Sequence, residues 1–143
     1  MNPSNVSIQP YLSFGGRCEE AIEFYRKALG AELLMMMRFK EAPEPSGMPE
    51  CFEEKVMHAS LRVGNTVLMA SDGRCEGPTT FEGFSLAITV GDEAEAERVF
   101  AALSEGGLVT MPLEKVFWSP KFGMLQDRFG VSWMVSVMHK PQE

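Results

Sequence analysis

The stretch from Val56 to Ser71, VMHASLRV-GN-TVLMAS, decides how the rest of the chain is read. Gly64-Asn65 is a two-residue hairpin signal, because glycine takes positive φ without steric conflict and suits the first centre of a II′ turn. The turn sets the register: Val63 opposite Thr66, Leu61 opposite Leu68, Ser60 opposite Met69, Ala59 opposite Ala70 and His58 opposite Ser71. Side chains alternate along a strand. One face therefore carries Met57, Ala59, Leu61, Val63, Leu68 and Ala70 and needs a core. The other carries His58, Ser60, Arg62, Met69 and Ser71. That mixed face suits solvent or the lining of a ligand cavity.

Upstream, Ile8 to Phe14 alternates as a strand and Gly15-Gly16 ends it. Arg17 to Leu29 follows the helical stripe Cys18, Ala21, Ile22, Tyr25, Leu29. Its acidic residues lie early and Arg26 and Lys27 late, as the helix dipole prefers. Gly30 is placed to end the helix. Ala31 to Phe39 reads as a second strand. Lys40 to Lys55, with three prolines, is a long loop, either a lid or a plain connection. Downstream of the hairpin the pattern restarts after a linker over 72–82. Phe84 to Val90 alternates, and Asp92 with Glu95 forms a capping-box-like start. Ala96, Val99, Phe100 and Leu103 make a helical stripe that Gly106-Gly107 stops. Leu108 to Phe117 is a strand with an edge or bulge at Pro112. Trp118-Ser119-Pro120 is a turn, Lys121 to Gln126 a strand, Asp127 to Gly130 a turn capped by the Asp127 carboxylate, and Val131 to Met138 a last strand. The tail from His139 is expected to fray. The order is βαβββ twice, with SFGG before one helix and TVGD before the other. This is an α+β chain of tandem βαβββ modules, about 6–75 and 82–139, forming a curved mixed sheet with its helices on the convex face.

The 143 residues suffice for a substantial core without disulfide or metal. A net charge of −7 with no basic cluster argues against nucleic acid and anionic membranes as partners. No leader or membrane-spanning run is evident, which points to the cytoplasm. Cys18, Cys51 and Cys75 are an odd number at wide spacings and read as reduced thiols. The 11 methionines suit irregular cores and adaptable cavities alike.

The pieces PYLSFGG (10–16), CEEAIEFY (18–25), ALGAE (28–32), HASLRVGNTVLMASD (58–72) and FWSPKFGMLQDRFGVSWM (117–134) span most of the chain. In that order they resemble the PhnB-like branch of the vicinal oxygen chelate superfamily, which includes glyoxalase I, extradiol dioxygenases and bleomycin-resistance proteins. The resemblance implies a cup, a homodimer, and a divalent metal held by one inward residue from the first and last strand of each module. Carried onto this chain, those positions are Gln9, Ser71, Ser85 and Met134. That set has no carboxylate and no imidazole, whereas such metals take at least three N or O ligands of those kinds. The expectation is thus the family's fold without its usual metal, and no cofactor. A quinone-methyltransferase label also attaches to the branch. No Gly-rich loop heads a nucleotide-binding sheet here to hold S-adenosylmethionine.

His58 is the one histidine outside the tail, and it reads as a general base or substrate hydrogen bond inside the cup. The alternative is a structural histidine bonded to a neighbouring strand. A one-histidine metal site with the nearby Glu53 and Glu54 is a third reading. Tyr11, Ser60 and Ser71 share its side. Arg38 and Arg62 are candidate clamps for an anionic ligand, or solvated strand arginines. Trp118, at a turn, is a pocket or interface candidate, whereas Trp133 shares a face with Val131, Val135 and Val137 and reads as core. Cys51 has no evident basic neighbour to activate it. The expected function is binding of an unidentified small molecule, with or without catalysis. The competing readings are a metal-dependent lyase, isomerase or dioxygenase with displaced ligands, and a non-catalytic dimeric assembly partner.

Overall fold

A computed structural model describes residues 5–41, 53–73 and 80–138. Most of the 40–55 loop, most of the second linker, Cys51, Cys75 and the tail from His139 lie outside the described residues. The chain divides into two units, residues 1–79 and 80–143.

The first unit runs β1 (Tyr11–Ser13), α1 (Cys18–Leu29), β2 (Glu32–Arg38), β3 (Val56–Val63) and β4 (Thr66–Ser71). Its sheet has the order β1-β4-β3-β2, with β1 parallel to β4 and the other pairs antiparallel. The second unit repeats the plan as β5 (Leu86–Val90), α2 (Glu93–Ser104), β6 (Leu108–Val116), β7 (Ser119–Gln126) and β8 (Ser132–Val137). Its order is β5-β8-β7-β6, again with the first strand parallel to the last. Each unit is thus a βαβββ module, and the fold class is α+β.

The hairpin has the register its turn implies, from Val63 opposite Thr66 to Ala59 opposite Ala70. Gly64 takes φ +57, a region L side chains avoid. Ala59, Leu61, Leu68 and Ala70 are buried, on the face that meets α1. On α1, Cys18, Ala21, Ile22 and Tyr25 are buried as the spacing requires, and Ala28 rather than Leu29 completes the stripe. Gly30 ends the helix in the left-handed region. On α2 the buried residues are Ala96, Val99, Phe100 and Leu103, and the Asp92 carboxylate accepts from Glu95 N at 2.8 Å.

Several boundaries differ from the sequence pattern. β1 begins only at Tyr11, and Ile8 is 93% exposed. Pro10 has no N–H to offer a ladder, although its carbonyl accepts from Met69 N. β5 begins at Leu86, which pairs with Trp133 near the start of β8, so Ser85 precedes the ladder and is exposed. β2 stops at Arg38 and passes into a 3₁₀ turn over Phe39–Glu41. A register shift between Leu33 and Met35 sets Leu33 opposite Leu61 but Met35 opposite Ser60. β7 starts at Ser119, which pairs with Val116, so the hairpin turn is Phe117-Trp118. The Pro112 strand lies at a sheet edge, with its register broken between Met111 and Glu114.

Two buried carboxylates organise the modules. Arg17 supplies no side-chain cap for α1. Asp72, just past β4 and 1% exposed, does so from across the module. Its Oδ1 accepts from Gly16 N at 2.8 Å and Cys18 N at 2.7 Å, and its Oδ2 from Val56 N at 2.8 Å. One side chain thereby ties the ends of three elements, and the negative charge suits the helix N-terminus. In the second module Asp127 accepts from Phe129 N at 2.9 Å, Val131 N at 3.1 Å and Trp133 Nε1 at 2.9 Å. Trp133 is buried core, as its strand face implies.

Candidate functional site

The face of the first sheet turned away from α1 gathers three of the candidate residues. Cross-strand register places Tyr11 beside Met69, Met69 beside Ser60, and Ser60 beside Met35. His58 stands two residues from Ser60 on the same face, opposite Met37. The Tyr11 hydroxyl lies 3.1 Å from His58 Nδ1, and Ser60 Oγ lies 3.5 Å from Nε2. The Tyr11 and His58 ring centroids are 5.5 Å apart. His58 is half-buried and Tyr11 is 51% exposed, so the group borders solvent.

The hydrogen-bond chain has two coherent settings. With the proton on Nε2, Tyr11 donates to Nδ1 and the imidazole faces Ser60 as a donor. With the proton on Nδ1, the imidazole donates to Tyr11 and Nε2 accepts from Ser60. A shift between them moves a proton across the ring without separating charge. The histidine is therefore bonded to a neighbouring strand, as a structural residue would be, and both of its nitrogens still face groups open to exchange with a ligand.

The other candidates are placed differently. Arg38 turns toward α1, where it pairs with Glu19 and donates to the Glu54 carbonyl at 2.5 Å. The hydrogen bond to Glu19 raises its pKa above the ordinary guanidinium value. It lines a pocket of about 260 Å³ with Gly16, Glu19, Glu54, Lys55 and Asp72, away from His58. Close by, an ion pair with Lys40 lowers the Glu54 pKa. Arg62 pairs with Glu32 at 2.5 Å. Each arginine thus already has a carboxylate that an anionic ligand would have to displace. Gln9 is half-buried just before β1. Ser71 is 5% exposed, and its Oγ accepts from Gly73 N at 2.9 Å and lies 3.5 Å from the Val56 carbonyl. Ser85 is exposed and Met134 half-buried. Trp118 is 47% exposed at its turn, with ring centroids 4.8 Å from Phe117 and 5.1 Å from Phe122. A pocket of about 430 Å³ at the start of α2, lined by Asp92, Lys115, Phe117 and Met138 among others, includes none of the candidates.

Sequence pattern alone does not single out Met69 or Asp72. The hairpin register already set Met69 beside Ser60. Nothing local marked Asp72, because its partners lie 16 residues or more away in sequence. Among the described residues, no three His, Cys, Asp or Glu side chains are grouped to hold a metal ion. Also among them, no helix is long and apolar enough to cross a membrane.

A family model described as 3-demethylubiquinone-9 3-methyltransferase matches residues 6–136. The chain belongs to this PhnB-like family of the vicinal oxygen chelate fold. It is similar to Protein YjdN of Escherichia coli, with 36% identity over 93% of this chain and 96% of the relative. Protein PA1353 of Pseudomonas aeruginosa is 44% identical, with a TM-score of 0.83 over 95% of this chain and 100% of that one. The PhnB protein from Bacillus cereus is 31% identical, with a TM-score of 0.78 over 93% and 100% of the two chains. A glyoxylase/bleomycin resistance protein/dioxygenase domain from Frankia shares the fold at 15% identity, with a TM-score of 0.65 over 99% and 96% of the two chains.

Proposed function

We propose that this PhnB-like protein binds a small molecule on the open face of its first sheet, with His58 as polar anchor and proton carrier and without the divalent metal usual for the superfamily. The observation that carries the reading is the Tyr11–His58–Ser60 hydrogen-bond chain at a solvent border. It offers an imidazole with one donor and one acceptor nitrogen, flanked by apolar Met35 and Met69. The four positions at which the superfamily holds its metal support the metal-free part. Gln9, Ser71, Ser85 and Met134 supply no imidazole or carboxylate, and Ser71 is committed to its own turn. A methyltransferase role finds no support in the sheets, because neither has the all-parallel order of a doubly wound nucleotide fold.

The test is to purify the wild type and His58→Ala without chelator, then measure bound metals and native-state small molecules by mass spectrometry. A compound enriched with the wild type and lost from His58→Ala is expected. Stoichiometric zinc, iron, manganese or nickel that leaves with His58 would refute the metal-free reading. In Tyr11→Phe, the imidazole ¹⁵N shifts should report a changed Nδ1/Nε2 tautomer ratio, and an unchanged ratio counts against the coupling. The protein is further proposed to act as a cytoplasmic homodimer, which sedimentation showing only monomer at micromolar concentration would exclude.

A further inference from the structure

The second sheet carries a row of thioethers. Register sets Ala87 beside Met134, Met134 beside Met124, and Met124 beside Met111. The face they occupy is fixed by their neighbours. A Cβ on Gly123 would meet the Phe100 ring of α2 at 2.7 Å, so position 123 faces the helix and Met124 faces away. Trp133 and Val135 on either side of Met134 are buried core, which turns Met134 the same way. Strands about 4.8 Å apart make the three-methionine row about 10 Å long. All three methionines are half-buried and keep accessible surface.

The flanking rows carry no charge across β5, β8 and β7. On one side Thr89 Oγ1 and Ser136 Oγ lie 3.3 Å apart, and Phe122 continues the row toward Trp118. On the other side stand Ser132 and Gln126. Glu114, in register with Phe122, puts a carboxylate at the β6 edge and disfavours an anion. With no countercharge in the central rows, desolvating an ionised ligand there is unfavourable.

We infer that this methionine row is a platform for an uncharged, flat bicyclic or tricyclic aromatic molecule, whose ring system lies on Met111, Met124 and Met134 and whose hydroxyl or carbonyl meets the Thr89–Ser136 pair. Thioether sulfur favours aromatic rings, and unbranched methionine adapts to their outline. The inference rests on the reading that the chain holds a small molecule, and it names a ligand chemistry for the second unit's sheet.

The experiment titrates 1-naphthol, and separately its saturated counterpart decahydro-1-naphthol, into protein labelled with [¹³C-methyl]methionine. Naphthol should shift the methyl signals of Met111, Met124 and Met134 and bind at least tenfold more tightly than the saturated alcohol. Met124→Leu and Met134→Leu, which keep volume and lose sulfur, should each weaken naphthol about two- to tenfold. Equal binding of the two alcohols, unchanged binding in both leucine variants, or shifts confined to Met35 and Met69 would overturn the platform. The two proposals fail separately. A natural ligand lost from His58→Ala, with no naphthol binding, refutes the platform alone. Naphthol binding with no co-purifying ligand refutes the His58 reading alone.

Discussion

Replacing Asp72 should cost this protein more stability than any surface charge. The carboxylate is 1% exposed and accepts three backbone N–H groups, from Gly16, Cys18 and Val56, all within 2.8 Å. A hydrogen bond to a charged group contributes about 1.5–3 kcal/mol. Asp72→Ala leaves the three donors without this acceptor. With some water entering the space, the lower end of the range applies, or about 4–5 kcal/mol. Asp72→Asn is the sharper probe. Its one carbonyl oxygen can still serve Gly16 and Cys18, but its NH₂ then faces Val56 N–H, donor against donor. The expected loss is intermediate, about 2–3 kcal/mol. With a urea slope of about 2 kcal/mol/M, the midpoint should fall by about 2 M for alanine and about 1 M for asparagine. Both tryptophans lie in the second unit, so far-UV circular dichroism is the primary probe and tryptophan emission reports the second module separately. Amide exchange at Val56 should accelerate in both variants, and at Cys18 chiefly in alanine. An alanine variant within about 1 kcal/mol of wild type, or an asparagine variant as damaging as alanine, would refute the reasoning.

Two further outcomes follow from burial at one site and close packing at another. Burial, reinforced by Asp72 and Glu19, pushes the Cys18 thiol above its ordinary value near 9. The folded state holds this proton more tightly than the unfolded chain, so the stabilisation is complete below about pH 9 and declines as pH rises further, at up to about 1.4 kcal/mol per unit. Cys18→Ala should flatten the fall in urea midpoint between pH 8 and 10, and an unchanged slope would exclude the thiol as its source. Gly107→Ala would drive a Cβ to 2.2 Å from the Gln126 carbonyl, whereas a Cβ on Gly91 meets nothing within 4 Å. Thermal melts should show Gly107→Ala destabilised by about 1–3 kcal/mol or more and Gly91→Ala nearly unchanged; similar losses at the two sites would refute the packing argument.

Much of this architecture is legible in the order of residues, because it arises from local rules. A Gly-Asn turn and period-2 alternation set the β3–β4 register. Period 3.6 selects the buried stripes of both helices. Asp92 caps a helix that begins beside it, and Trp133 follows its strand neighbours into the core. The same register also puts His58, Ser60 and Met69 on one face. What failed locally did so for non-local reasons. β1 and β5 are shorter than their alternation because a strand extends only as far as its partner pairs. The shift at Leu34 re-aims Met35 because an extra residue entered one side of a ladder. Arg38 and Arg62 look alike in sequence, yet the fold turns one to α1 and pairs the other with Glu32. Alternation along one strand reports a face and cannot report what stands beside it on the next. The bond from Tyr11 to His58 joins residues 47 apart, Asp72 reaches back to Cys18 across 54, and the methionine row collects side chains from three separated strands. The chain by itself determined two βαβββ modules and their buried faces. Only pairing of distant strands decided which polar side chains meet, and with them where a ligand has something to hold.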